Sequence, residues 1–195
     1  MRKLWYNRFE RQMGVNQMAN KNDQAYARKL AQIEANENLT ILSSMNQVND
    51  EKVKQYIVYT DYRENGQQES TSSIFVYTPY ANVDRFGHST VDFQTQLLFE
   101  TNKWKKEMHI TVLETLGAAS RLAVYDFQNL GLAQLAVKAF CNLANKLEIE
   151  TIDGNISTFD RDDFKKVAHI LEKYGFEVQT DAGQSSGSFT KTRKA

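Results

Sequence analysis

Residues 121–154 read RLAVYDFQNLGLAQLAVKAFCNLANKLEIETIDG, and this stretch decides the fold. After Leu132 its apolar residues recur every three or four positions, which places them on one face of a helix. An apolar run near 121–125 precedes that helix, and an alternating run near 148–153 follows it; both are typical of strands. Because a helix joins them, the two strands are predicted to be parallel neighbours.

The turn between the first strand and the helix, residues 128–133 (QNLGLA), is suited to bind an anion. A helix N-terminus leaves its first backbone N–H groups unpaired and carries a partial positive charge. A phosphate binds there when it can approach the backbone closely, and Gly131 permits this because it has no side chain. The alternative is an ordinary strand-to-helix turn in which Gly131 only allows tight packing.

This turn resembles the pyrophosphate loop of the GNAT family of acyl-CoA-dependent N-acetyltransferases, Gln/Arg-x-x-Gly-x-Gly/Ala. Residues 163–178 (DFKKVAHILEKYGFEV) are similar to the family's helix that closes in Tyr-Glu-Lys-x-Gly-Phe and then enters a strand. The resemblance implies that acetyl-CoA (CoA) binds as cosubstrate, with its pyrophosphate against the backbone of the loop. The implied binding residues are Val124, Gln128, Asn129, Leu130, Gly131, Leu132 and Ala133.

Two positions depart from the family pattern. In many members a tyrosine protonates the leaving thiolate of CoA, and Leu171 occupies that position here. An asparagine often found seven residues earlier is replaced by Phe164. The proton would then come from Tyr174, from Tyr125 or from water. For Tyr174 the alternative is an aromatic residue that ends a helix and packs on the core.

Two carboxylates are candidate bases for the attacking amine. Asp126 lies beside Tyr125 ahead of the loop, and Glu114 lies on the strand before it, where family members often place a carboxylate near the thioester. A surface salt bridge is the alternative for both residues.

The rest of the chain predicts helices followed by an antiparallel meander. Trp5, Phe9 and Met13 indicate a basic amphipathic helix, and a second helix is expected from 22 to 34. Strands are predicted near 39–42, 56–61, 74–77, 91–99 and 108–112, and a final hairpin pairs 176–180 with 189–192.

The expected fold class is α/β (α+β), a mixed, mostly antiparallel twisted sheet with helices on both faces, similar to the GNAT acyltransferase fold. It forms a single domain, 1–195, with an N-terminal helical part at 1–50. The sheet follows at 51–195 and includes the acyl-CoA-binding strand–helix–strand unit at 121–154.

Composition limits the partners of the chain. Its 24 Lys and Arg balance 24 Asp and Glu, so no overall charge draws it to nucleic acid or to a membrane. Cys141 is the lone cysteine and the three histidines are scattered, so neither a disulfide nor a metal site is expected. No apolar run has the length of a signal or of a membrane span, and the cytoplasm is the expected compartment.

The sequence is compatible with two functions. The first is an N-acyltransferase that passes an acetyl group from acetyl-CoA to the amine of a small-molecule or protein acceptor by direct attack. The second is a binding or regulatory protein that keeps the fold, and CoA binding, without transfer. A homodimer is compatible with either function.

Overall fold

The structure is a computed structural model of the chain. It describes residues 21–46, 54–66, 69–80, 86, 88, 91–117, 125–157, 161–180 and 186–193. The helix expected around Trp5, Phe9 and Met13 lies outside these residues, as does Val124.

Three helices and eight strands make up the described part of the chain. The helices are α1 (21–34), α2 (Leu132–Lys146) and α3 (Arg161–Lys173). The strands are β1 (Thr40–Asn46), β2 (Gln55–Thr60), β3 (Glu69–Tyr77), β4 (Thr95–Asn102), β5 (Glu107–Thr115), β6 (Thr151–Ser157), β7 (Glu177–Thr180) and β8 (Ser186–Thr192).

All eight strands belong to one sheet, in the order β1-β2-β3-β4-β5-β6-β8-β7. Only the β5–β6 pair is parallel, and the other neighbours are antiparallel. The predicted final hairpin is present as β7 and β8, and β8 lies between β7 and β6.

Helices cover both faces of the sheet. On one face, Tyr26 and Ile33 of α1 pack with Ile57 and Tyr59 of β2. On the other face, α2 and α3 share the main core with the alternate residues of the strands, such as Val58. Side chains of a strand point alternately to its two faces, so β2 contributes Ile57 and Tyr59 to one core and Val58 to the other. The predicted fold class, a mixed and mostly antiparallel sheet flanked by helices on both faces, is confirmed.

The predicted pairing of a strand at 121–125 with the strand at 148–153 is wrong. The neighbours of β6 are β5 and β8, so both of its edges are occupied over Thr151–Gly154. Residues 118–124 lie outside the described part, and Tyr125 is in a bend. The parallel partner joined to β6 through α2 is β5, the strand with the clear alternation of Met108 and Ile110.

Candidate active site

The candidate site lies at the end of β5, beyond the stretch that pairs with β6. Their parallel pairing runs from Glu107↔Thr151 to Ile110↔Gly154 and goes no further. β5 nevertheless continues to Thr115 and β6 to Ser157. The two strands therefore diverge at this end, beside the start of α2.

A groove of about 530 Å³ opens at this end of the sheet. One wall is the end of β5, residues 113–115, and a second is the loop and first turn of α2, with residues between 127 and 134. Lys166, Val167, His169 and Ile170 of α3 form the third wall. A volume of this size is ordinary for a small-molecule or cosubstrate site.

The N-terminus of α2 opens onto the groove without a cap. Gly131 is its N-cap residue, in a left-handed conformation with φ 81° and ψ 7°, which favours glycine. No side chain of the described ranges caps the helix, and its first turn contains no acidic residue. Apart from the adjoining backbone and chain neighbours, no atom of the described residues lies within 4 Å of a Cβ built on Gly131. The first N–H groups of α2 therefore have no intrahelical partner, and an anion can reach them from the groove.

The loop ahead of the helix is held in place by three local features. The carboxylate of Asp126 accepts a 2.9 Å hydrogen bond from the backbone N–H of Gln128. Phe127 donates its N–H to the carbonyl of Leu116 at 2.9 Å, and both side chains are buried in the core. Asn129 has a positive φ of 59°, which turns the chain towards the helix. The loop thus starts from a fixed anchor on the core.

The structure brings most of the predicted binding residues together. Gln128, Asn129, Gly131, Leu132 and Ala133 line the groove. Leu130 packs partly buried against the core instead.

Of the four predicted catalytic residues, only Glu114 lines the groove. Its neighbour Leu113 packs on the main core, and the Thr115 hydroxyl is 2.8 Å from that of Thr95. Because side chains alternate along a strand, the exposed Glu114 carboxylate points towards the opposite face, on which α1 packs.

Tyr125 and Asp126 lie next to the loop but do not line the groove. Tyr125 is 56% exposed, and its ring meets the ring of Phe127 at a centroid distance of 6.5 Å. Asp126 is exposed, and its carboxylate accepts the hydrogen bond from the backbone N–H of Gln128.

Tyr174 follows the last residue of α3 and also lies away from the groove. It is partly buried against the core, and its carbonyl accepts a 2.6 Å hydrogen bond from Nζ of Lys191. Burial raises the pKa of the Tyr174 phenol, and the nearby Cys141 raises it further.

The two positions that depart from the family pattern are core positions. Leu171 is 1% exposed and Phe164 is 2% exposed, and both belong to the main core. No tyrosine lies among the described residues that line the groove. Within the described part of the chain, the groove therefore has no tyrosine hydroxyl on its walls.

Sequence reasoning missed Lys166 and His169, which line the groove from α3 and are exposed. They lie three residues apart, so they share one face of the helix. The sequence signal that could have identified them is their three-residue spacing beside Val167 and Ile170, which pack against the core. No known motif contains the pair.

Among the described residues, no helix is both long and apolar enough to pass through a bilayer. The same part of the chain contains no group of three or more His, Cys, Asp or Glu side chains placed to hold a metal ion.

No family model matches the sequence, and no curated protein matches it. Solved structures that resemble the chain include GNAT-family acetyltransferases. PaiA N-acetyltransferase from Thermoplasma acidophilum, solved with coenzyme A, is 9% identical over 63% of this chain and 61% of its own, with a TM-score of 0.43. A GNAT-family acetyltransferase from Staphylococcus aureus is 7% identical over 64% of this chain and 69% of its own, with a TM-score of 0.42. Nourseothricin acetyltransferase is 8% identical over 82% of this chain and 90% of its own, with a TM-score of 0.43.

Proposed function

We propose that this chain is an acyl-CoA-dependent N-acyltransferase that passes an acetyl group from acetyl-CoA to the amine of an acceptor. The observation that carries the proposal is the uncapped N-terminus of α2, with left-handed Gly131, opening onto a groove lined by the end of β5 beyond its pairing with β6. This arrangement joins an anion site to an opening in the sheet, as a ligand with a pyrophosphate and a long arm requires.

The walls of the groove suit the two ends of acetyl-CoA. The free N–H groups at the start of α2 would bind the pyrophosphate, and Lys166 adds a positive charge from α3. The pantetheine arm would then run along the end of β5 into the gap beside β6. Leu113, Val167 and Ile170 provide apolar contacts on that path.

The chemistry needs no protein nucleophile. The acceptor nitrogen forms a bond to the thioester carbonyl carbon, the carbon–sulfur bond breaks, and the thiolate of CoA takes up a proton. Glu114 is our candidate for the base that removes a proton from the amine, directly or through water. Its side chain points to the face that carries α1, so the acceptor would approach from that face.

The second candidate function is a protein that binds CoA without transferring the acyl group. The buried Leu171 and the position of Tyr174 away from the groove favour this second function. Neither residue provides a tyrosine that could protonate the thiolate of CoA. Water or positioning alone would have to replace that acid in an active enzyme.

Two measurements on the same preparation separate these functions. A thermal-shift titration with CoA reports binding, since a ligand that binds only the folded state raises Tm. Acetyl-CoA turnover on a panel of small amines, polyamines and lysine peptides reports transfer. We expect both a shift and turnover; a shift without turnover on any amine would favour the binding protein. The absence of both the thermal shift and turnover would contradict both functions.

A further inference from the structure

Gly117 and Gln128 are in close contact at the base of the loop. Gly117 is buried and lies two residues beyond the end of β5. A Cβ added at Gly117 would lie 2.5 Å from Nε2 and 2.7 Å from Cδ of Gln128. These distances are shorter than carbon atoms tolerate, so the Gln128 side chain occupies the space that any other residue at 117 would need.

The backbone on both sides of this contact is fixed. The N–H of Phe127 donates to the carbonyl of Leu116, and the N–H of Leu116 donates to the carbonyl of Gln94, both at 2.9 Å. Gln94 is itself buried, and its side-chain oxygen accepts a 2.6 Å hydrogen bond from the N–H of Thr78. The part that can yield to a larger residue at 117 is therefore the end of the Gln128 side chain.

Gln128 has the end of β5 on one side and the groove on the other. We propose that Gly117 is a positioning residue for the phosphate-binding loop: its missing side chain lets Gln128 lie against the end of β5 and leaves the groove clear above 128–133. A methyl group at 117 would turn the Gln128 side chain into the groove. The inference rests on the proposed function, because CoA is the ligand whose access is kept open.

A double-mutant cycle tests the positioning role. CoA affinity is measured by calorimetry, and Tm without ligand is recorded, for Gly117→Ala, Gln128→Ala and the double variant. We expect Gly117→Ala to weaken CoA binding about tenfold with little change in Tm, since a flexible side-chain end yields. Gln128→Ala should weaken binding by about threefold at most, and the double variant should match Gln128→Ala, because the displaced side chain is gone.

The control is Gly66→Ala, in the hairpin between β2 and β3. A Cβ there lies 3.0 Å from the carbonyl oxygen of Arg63, and the site is outside the groove. Its CoA affinity should equal that of the wild type. A purely structural effect of Gly117→Ala would lower Tm and leave the affinity of the folded protein unchanged, which would overturn the proposal.

Each remaining outcome also decides the proposal. Two results would overturn the positioning role: Gly117→Ala binds CoA with wild-type affinity, or the double variant binds CoA as weakly as Gly117→Ala alone. The proposed function would remain intact in either case, provided that Gly131→Glu still weakens CoA binding. A wild-type protein that does not bind CoA would overturn both. Loss of affinity in Gly117→Ala with recovery in the double variant would establish the role.

Discussion

The ring of Phe140 on α2 meets the ring of Phe99 on β4 edge to face, with centroids 5.1 Å apart and an interplanar angle of 66°. Both side chains are fully buried. This contact joins α2, whose N-terminus is the proposed anion site, to the centre of the sheet. Edge-to-face pairs contribute about 0.5–1.5 kcal/mol beyond the burial of their area.

Truncation of Phe140 should destabilise the whole fold. We expect Phe140→Ala to lower the free energy of unfolding by about 3–5 kcal/mol, because it leaves a cavity between α2 and the sheet. Phe140→Leu keeps most of the volume and should cost about 1–2 kcal/mol. Urea denaturation measures both. Equal losses in the two variants would contradict a packing role for the aromatic ring.

Glu114 should affect turnover more than the other candidates. Once an acceptor is found, we expect Glu114→Gln to lower kcat about 10²- to 10⁴-fold with CoA affinity unchanged. Tyr125→Phe, Asp126→Asn and Tyr174→Phe should have smaller effects, since these residues do not line the groove. Wild-type turnover in all four variants would mean that catalysis rests on positioning and solvent alone.

Cys141 should be unreactive in the folded protein. Burial raises the pKa of its thiol, although the Lys191 ammonium, 3.9 Å from Sγ, acts in the opposite direction. At neutral pH the group is therefore a thiol rather than the reactive thiolate. We expect labelling by a thiol reagent at pH 7.5 to be roughly 100-fold slower in buffer than in 8 M urea. Similar rates in the two solvents would place Cys141 outside the core.

Tyr59 should make the fold sensitive to alkali. Burial raises the pKa of its phenol above the ordinary value of about 10, with a further contribution from Asp92. The phenol thus ionises in the unfolded chain at a lower pH than in the folded one. Stability is fully present below pH ~10 and falls as pH rises above it. We expect urea denaturation between pH 8 and 11 to show a shallower loss for Tyr59→Phe. Identical slopes in the two proteins would rule out this cause.

The helices α1 and α2 were predictable because their buried residues recur every three or four positions, as the apolar residues of the sequence do. Phe140 and Leu143 of α2 are buried as the spacing predicts, and so are Tyr26 and Ile33 of α1. The strands of the meander were predicted as well, although β4 starts only at Thr95, after the buried amide of Gln94.

Strand neighbours were less predictable, because alternation tells which face of a strand is buried and not which strand pairs with it. The pattern predicts that the apolar run near 121–125 pairs with β6, but β5 occupies that edge. The Gly117–Gln128 contact depends on the same long-range arrangement. Local spacing does not contain this information.

The candidate site was predictable where a local backbone feature defines it. Gly131 was identified from the loop pattern, and it has the left-handed conformation at the N-cap of α2. Lys166 and His169 reach the groove only because α3 packs beside α2, which local spacing does not predict. Tyr174 lies away from the groove, directly after the last residue of α3, and its carbonyl accepts a hydrogen bond from Lys191.

Calorimetric titration of Gly131→Glu and Gly131→Gln with CoA tests the anion site most directly. Both variants have the same backbone strain and similar bulk, and the open space around Gly131 accepts either side chain. They differ in one negative charge at the start of α2. We expect CoA to bind Gly131→Glu roughly tenfold or more weakly than Gly131→Gln, a difference of at least about 1.4 kcal/mol. Equal CoA affinity in the two folded variants would show that the pyrophosphate does not bind at this helix.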